Sequence, residues 1–79
     1  MAYSNAQVSE FLTNIATAYE IKAKTKFQIV AYENAADTVL TYPESLFELW
    51  HKDPKALDDV PNIGSGIFKK IDKQINNWL

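Results

Sequence analysis

The sequence has 79 residues, 47% of them apolar, with four Phe, four Tyr and two Trp, and contains no Cys. That length supports one hydrophobic core, so residues 1–79 are expected to form a single domain, held by neither disulfides nor thiolate zinc sites. Eight Lys, no Arg and ten acidic residues give a formal net charge of −2. The global field therefore does not draw nucleic acid, and any grip on phosphate must be local.

Ser4 or Asn5 can cap a first helix, in which Val8, Phe11, Leu12, Ile15 and Tyr19 recur at three- and four-residue steps and form one apolar stripe. Lys22-Ala23-Lys24-Thr25-Lys26 interrupts the pattern as a basic connection. A second helix is predicted from Phe27 to Leu40, with Ile29, Tyr32, Ala36, Val39 and Leu40 on one face. Ala31 and Ala35, four residues apart, offer a groove of small residues to a packing neighbour. Tyr42-Pro43 is expected to end this helix and open a third, whose apolar side is Leu46, Phe47, Leu49 and Trp50. Asp53-Pro54 reads as an N-cap with Pro in the first helical position, starting a short turn that carries Leu57 inward. After a tight turn at 60–66, a last helix places Ile67, Ile71, Ile75 and Trp78 on one stripe. The predicted fold class is all-α: a compact bundle of four main helices plus a short helical turn.

No apolar run approaches the roughly 20 residues of a membrane span, and the start lacks a signal-peptide core, so a cytoplasmic protein with no membrane partner is expected. His51, the one histidine, is read as complementing the dipole at a helix C-terminus. The acidic residues show no paired-carboxylate spacing. No metal site and no cofactor are predicted.

Val60-Pro61-Asn62-Ile63-Gly64-Ser65-Gly66-Ile67-Phe68-Lys69-Lys70-Ile71 carries the most information. A turn bearing glycines lets backbone come within hydrogen-bonding distance of a phosphate, because no Cβ stands in the way. N–H groups of the turn and of the first helical turn then face the anion, assisted by the helix dipole. Such contacts position a protein on DNA without reading its sequence. The string resembles the helix-hairpin-helix signature, which implies that Asn62, Gly64, Ser65 and Gly66, with Lys69, Lys70 and Lys73, face DNA.

Upstream, Phe27-Gln28-Ile29-Val30-Ala31-Tyr32-Glu33-Asn34-Ala35-Ala36 resembles the second helix of the N-terminal domain of family X DNA polymerases. From about Asn5 to Trp78 the chain keeps that domain's order: this helix, a third helix after a Pro, then the hairpin. The resemblance implies a DNA-repair setting and a grip on the 5′-phosphate side of a DNA gap. Nucleotidyl transfer is not expected, since the resemblance ends before the polymerase fingers. It also implies that Tyr32 lines the phosphate pocket, and that Lys70 falls where the beta-type lyase forms its Schiff base with a 5′-deoxyribose phosphate. Lys26 joins the DNA side because it precedes the helix that faces DNA in that family. Several positions depart from the pattern. Gln28 and Val30 stand where Arg or Lys is usual, and Glu33 and Asn34 replace a pair that is often basic. Asp58 and Gly66 replace lysines, and Asn62 replaces the first hairpin glycine. Phe68 replaces a small residue.

Three functions follow. The leading one is a DNA-binding module contacting the phosphate backbone without sequence preference. The alternatives are a protein-interaction or self-associating domain that has kept the fold and lost the DNA surface, and a lyase acting through Lys70. Tyr42, Phe47, Trp50, Phe68, Trp78 and Leu79 are many large apolar groups for a short chain, which predicts a homo-oligomer, most simply a dimer through Phe68 and Trp78 of the last helix.

Overall fold

The computed structural model describes residues 3–79. Among them, α1 spans Asn5–Ile21, α2 Lys26–Thr41, α3 Leu46–Lys52 and α4 Ser65–Trp78, with a 3₁₀ helix at Pro54–Asp59 between α3 and α4. The all-α fold class holds, with four main helices and one short turn.

Local chemistry sets most of the boundaries. Ser4 caps α1 in a reciprocal box: the Gln7 amide donates to Ser4 Oγ at 3.2 Å and the Ser4 amide to Gln7 Oε1 at 2.8 Å. Asn5, the other candidate cap, does different work. Its Nδ2 donates to the Glu44 carbonyl at 2.7 Å and its Oδ1 accepts from the Leu46 amide at 2.8 Å, tying the start of α1 to the start of α3. The connection between α1 and α2 is shorter than expected, because Thr25 caps α2 and Lys26 is already helical.

Pro43 does not open α3, contrary to the sequence expectation. Tyr42, restricted by the following Pro, is extended at φ −66°, ψ 134°. The helix waits for Ser45, whose hydroxyl accepts from the Glu48 amide at 3.3 Å. A capping hydroxyl thus outranks a proline as a start signal. Asp53-Pro54 behaves as predicted: the Asp53 carboxylate accepts from the Lys55 amide at 3.1 Å and the short helix buries Leu57 completely.

α2 folds back along α1, and these two share the most extensive helix contact. Ser9 Oγ donates to the Ala36 carbonyl at 2.8 Å, so the one buried polar residue among those described is satisfied. Of the predicted small-residue pair, Ala35 is fully buried and Ala31 only partly; Ala36, from the predicted apolar face, is buried beside Ala35. Leu40 departs from its expected face. Val39 takes the core position, and Leu40, about 100° round the helix, is left exposed. Val8, Leu12, Val39, Leu46, Leu57, Ile71 and Ile75 form the fully buried centre. Trp50 closes one side, its Nε1 donating to Asp72 Oδ1 at 2.7 Å and so pinning α3 to α4.

Phe68 and Trp78, the residues expected to carry self-association, pack partly inward, while Leu79 is exposed. Trp78 stacks on Tyr3 at 4.7 Å and meets the edge of Phe11 at 6.4 Å, while the Tyr3 hydroxyl donates to the Trp78 carbonyl. Phe68 is partly buried against the core. Tyr3, lying ahead of α1, supplies the cover that the C-terminal helix seemed to lack. Phe68 and Trp78 are thus partly covered within the chain itself. Among the described residues, the large apolar side chains that face solvent are Ile21, Phe27, Val30, Leu40 and Leu79. No helix of the described residues is long and apolar enough to cross a membrane.

Candidate nucleic-acid interface

The turn into α4 is anchored at both ends and bare in the middle. Val60 and Ile63 are buried, which forces Pro61 and Asn62 outward between them. Reversing the chain in so few residues needs one left-handed backbone, and Asn62 supplies it at φ 65°. Asn accepts that region more readily than other non-glycine residues, so the loss of the first hairpin glycine is tolerated. Gly64 and Gly66 do not have positive φ.

Their absent side chains matter for a different reason. A Cβ at Gly64 or Gly66 would meet nothing within 4 Å. The glycines make room for nothing inside the molecule; they leave backbone uncovered toward solvent. Gly64 is the N-cap of α4 and offers no side chain to the first-turn amides. The helical ladder begins only with the Phe68 amide, which donates to the Gly64 carbonyl at 2.8 Å. Asn62, Gly64, Ser65 and Gly66 are all exposed, and so are Lys69, Lys70 and Lys73 on the polar side of α4, opposite buried Ile67, Ile71 and Ile75.

α2 stands beside the turn. Phe27, Val30, Ala31, Asn34 and Asn62 line a shallow groove of about 240 Å³. Phe27 is 84% exposed at the start of α2, next to the exposed Lys26. The groove and the hairpin are joined by one tertiary bond, from Asn62 Nδ2 to Thr38 Oγ1 at 2.7 Å. The sequence marked Val30 and Asn34 as replacing basic residues, but did not single out Phe27 or Thr38 as part of a surface. The available signal was helical phase: the buried stripe Tyr32, Ala35, Ala36 and Val39 leaves Phe27 and Val30 outside it.

Tyr32 does not line this groove. Its ring is 7% exposed and meets Tyr19 edge-on at 5.2 Å, under the α1–α2 contact. Burial, then a hydrogen bond and charge repulsion from Tyr19, push its hydroxyl up to about 12. The structure thus brings Asn62, Gly64, Ser65 and Gly66 together at one turn, puts the α4 lysines on the helix that follows, and leaves Lys26 exposed as the first residue of α2. Lys70 is exposed and lies outside the groove lining. Gln28, Glu33 and Asp58, which replace basic residues of the resembled pattern, are exposed too. Among the described residues, no three His, Cys, Asp or Glu side chains gather to hold a metal.

The family model of the helix-hairpin-helix domain matches residues 3–78. The chain belongs to that family. Helix-hairpin-helix domains generally bind DNA without sequence preference, and the hairpin of this one is the segment 60–66 with its flanking helices. Comparison with curated proteins and with solved structures gives no match.

Proposed function

We propose that this helix-hairpin-helix domain is a DNA-binding module that holds one stretch of phosphate backbone and does not read base sequence. The observation that carries the reading is the start of α4: its N-cap, Gly64, has no side chain, and open space lies on the outer faces of Gly64 and Gly66. Amides of Ser65 and Gly66 then approach a phosphate directly, and the helix dipole adds to the attraction. Lys69, Lys70 and Lys73 supply the local positive charge that the net charge of −2 denies the molecule as a whole. Asn62 shapes the turn, and Lys26 approaches the same strand from α2. Tyr32 supports α2 from below, because its buried ring is in no position to meet a ligand. Phe27 offers a base an aromatic face, a contact that tolerates every sequence. Resemblance to the N-terminal domain of family X polymerases supports a gapped duplex as the preferred form of DNA.

The test is fluorescence anisotropy on labelled gapped and intact duplexes across a range of salt. Three to four lysine contacts give a log–log salt slope of about −3, with the same affinity for unrelated sequences. A salt-independent affinity, or no binding at low salt, rejects the reading.

A second reading, a protein-interaction domain, is favoured by one observation. The exposed positions Gln28, Glu33 and Asp58 carry no positive charge, while Ile21, Phe27 and Val30 present apolar surface. The same titration separates the two, since an apolar protein interface predicts no DNA affinity.

A further inference from the structure

Two non-glycine residues among those described have left-handed backbones, Ala23 at φ 56° and Asn62 at φ 65°. Each sits in a tight connection, and for an L-residue the conformation costs energy that the surroundings must offset. No hydrogen bond from its own side chain can hold Ala23 there. Asn62 is held by its side chain, because Nδ2 donates to Thr38 Oγ1 at 2.7 Å across 24 residues of sequence. Thr38 is half-buried in the fourth turn of α2, on the framework that packs against α1. Nothing in the core requires this bond. Asn62 is exposed and Thr38 half-buried, and buried Val60 and Ile63 already fasten the turn to the body of the fold. What the bond adds is orientation: it fixes the one residue whose φ decides where the following amides point.

We propose that Thr38 is a positioning residue for the hairpin, holding Asn62 in the left-handed region so that the backbone at Gly64, Ser65 and Gly66 is aligned for phosphate before DNA arrives. The inference rests on the DNA-binding reading above. Thr38 touches no ligand itself; it acts through Asn62. Pre-organisation of this kind appears as affinity, because the ordering cost is met in the free protein.

Three variants test it: Thr38→Val, which keeps the shape and removes the hydroxyl; Asn62→Gly, which keeps the left-handed backbone and removes the tether; and the double variant. Each single change should weaken binding to a fluorescein-labelled gapped duplex about three- to tenfold, the range of one hydrogen bond. The double variant should be no weaker than the weaker single, because both changes break the same bond. The log–log salt slope should stay at the unmodified value, since that slope counts lysines and not amides. Amide resonances of residues 63–66 should shift in free Thr38→Val. A purely structural role would lower the melting temperature and leave both the affinity of the folded protein and those resonances unchanged. Equal affinity of Thr38→Val and the unmodified chain overturns the proposal alone. Failure of the unmodified chain to bind DNA overturns the DNA reading, and this proposal with it.

Discussion

Five helical segments begin within the described residues, and four of them begin on a side chain. Ser4, Thr25, Ser45 and Asp53 each accept a hydrogen bond from a backbone amide of the segment they start. α4 begins on Gly64, which accepts none through a side chain. The four capped starts use polar residues that satisfy the helix from within, worth about 1 kcal/mol each. The fifth leaves its amides to whatever approaches from outside. The difference separates a closed part, whose helix starts are satisfied by their own side chains, from the open start of α4 where the proposed phosphate site lies.

The closed part should break most visibly. Leu12 is fully buried between α1 and the rest of the core, and Leu12→Ala should cost about 2–5 kcal/mol in denaturant unfolding. Ala35→Leu should cost about 1–3 kcal/mol by overpacking the α1–α2 contact. Neither change touches the hairpin, so the DNA affinity of whatever remains folded should be unaltered. An Ala35→Leu variant that melts like the parent would show that the two helices do not meet there.

Tyr32 sharpens the same contrast through pH. Its folded hydroxyl is raised to about 12 against an ordinary value near 10. A raised value means that its contribution is complete below pH 10, where the ring is neutral in folded and unfolded chains alike. Stability is then lost as pH climbs from 10 to 12, because the unfolded chain ionises first. Melting temperature should fall over that window, and Tyr32→Phe should remove this part of the fall. DNA affinity at neutral pH should not respond to Tyr32→Phe, since the ring faces Tyr19.

The smallest effect belongs to single lysines. Lys70→Ala should reduce the magnitude of the salt slope by about 0.9 and weaken binding modestly at low salt. Borohydride trapping on abasic DNA should yield little adduct. Robust trapping that Lys70→Ala abolishes would restore the lyase reading.

The closed part was largely legible in the sequence, for a physical reason. Apolar residues at three- and four-residue steps mark a helix face regardless of tertiary detail, so Val8, Leu12, Ile67, Ile71 and Ile75 could be assigned inward from spacing alone. What failed lay at competing or distant signals. Pro43 looked like a helix start because it fits a first turn, but Ser45 provides a cap and Asn5, far away in sequence, holds the intervening backbone extended. Trp78 looked uncovered because nothing local hides it, yet Tyr3 from the opposite end of the chain stacks on it. The hairpin itself was legible from Pro61, Asn62, Gly64 and Gly66. Its surroundings were not. Phe27 and Thr38 join Asn62 through tertiary approach alone, and no periodicity encodes that.

The open start of α4 is tested most directly by closing it. Gly64 has φ −82° and ψ 175°, which any residue can adopt, and a Cβ there meets nothing within 4 Å. Gly64→Asp should therefore fold unstrained, cap α4 with a carboxylate and raise stability by about 0.5–1 kcal/mol. The same carboxylate would occupy the amides and repel the phosphate. Melting and anisotropy on one sample give both readings. A higher melting temperature with DNA binding lost is the expected result; a higher melting temperature with affinity unchanged would contradict the assignment of this helix start as the phosphate site.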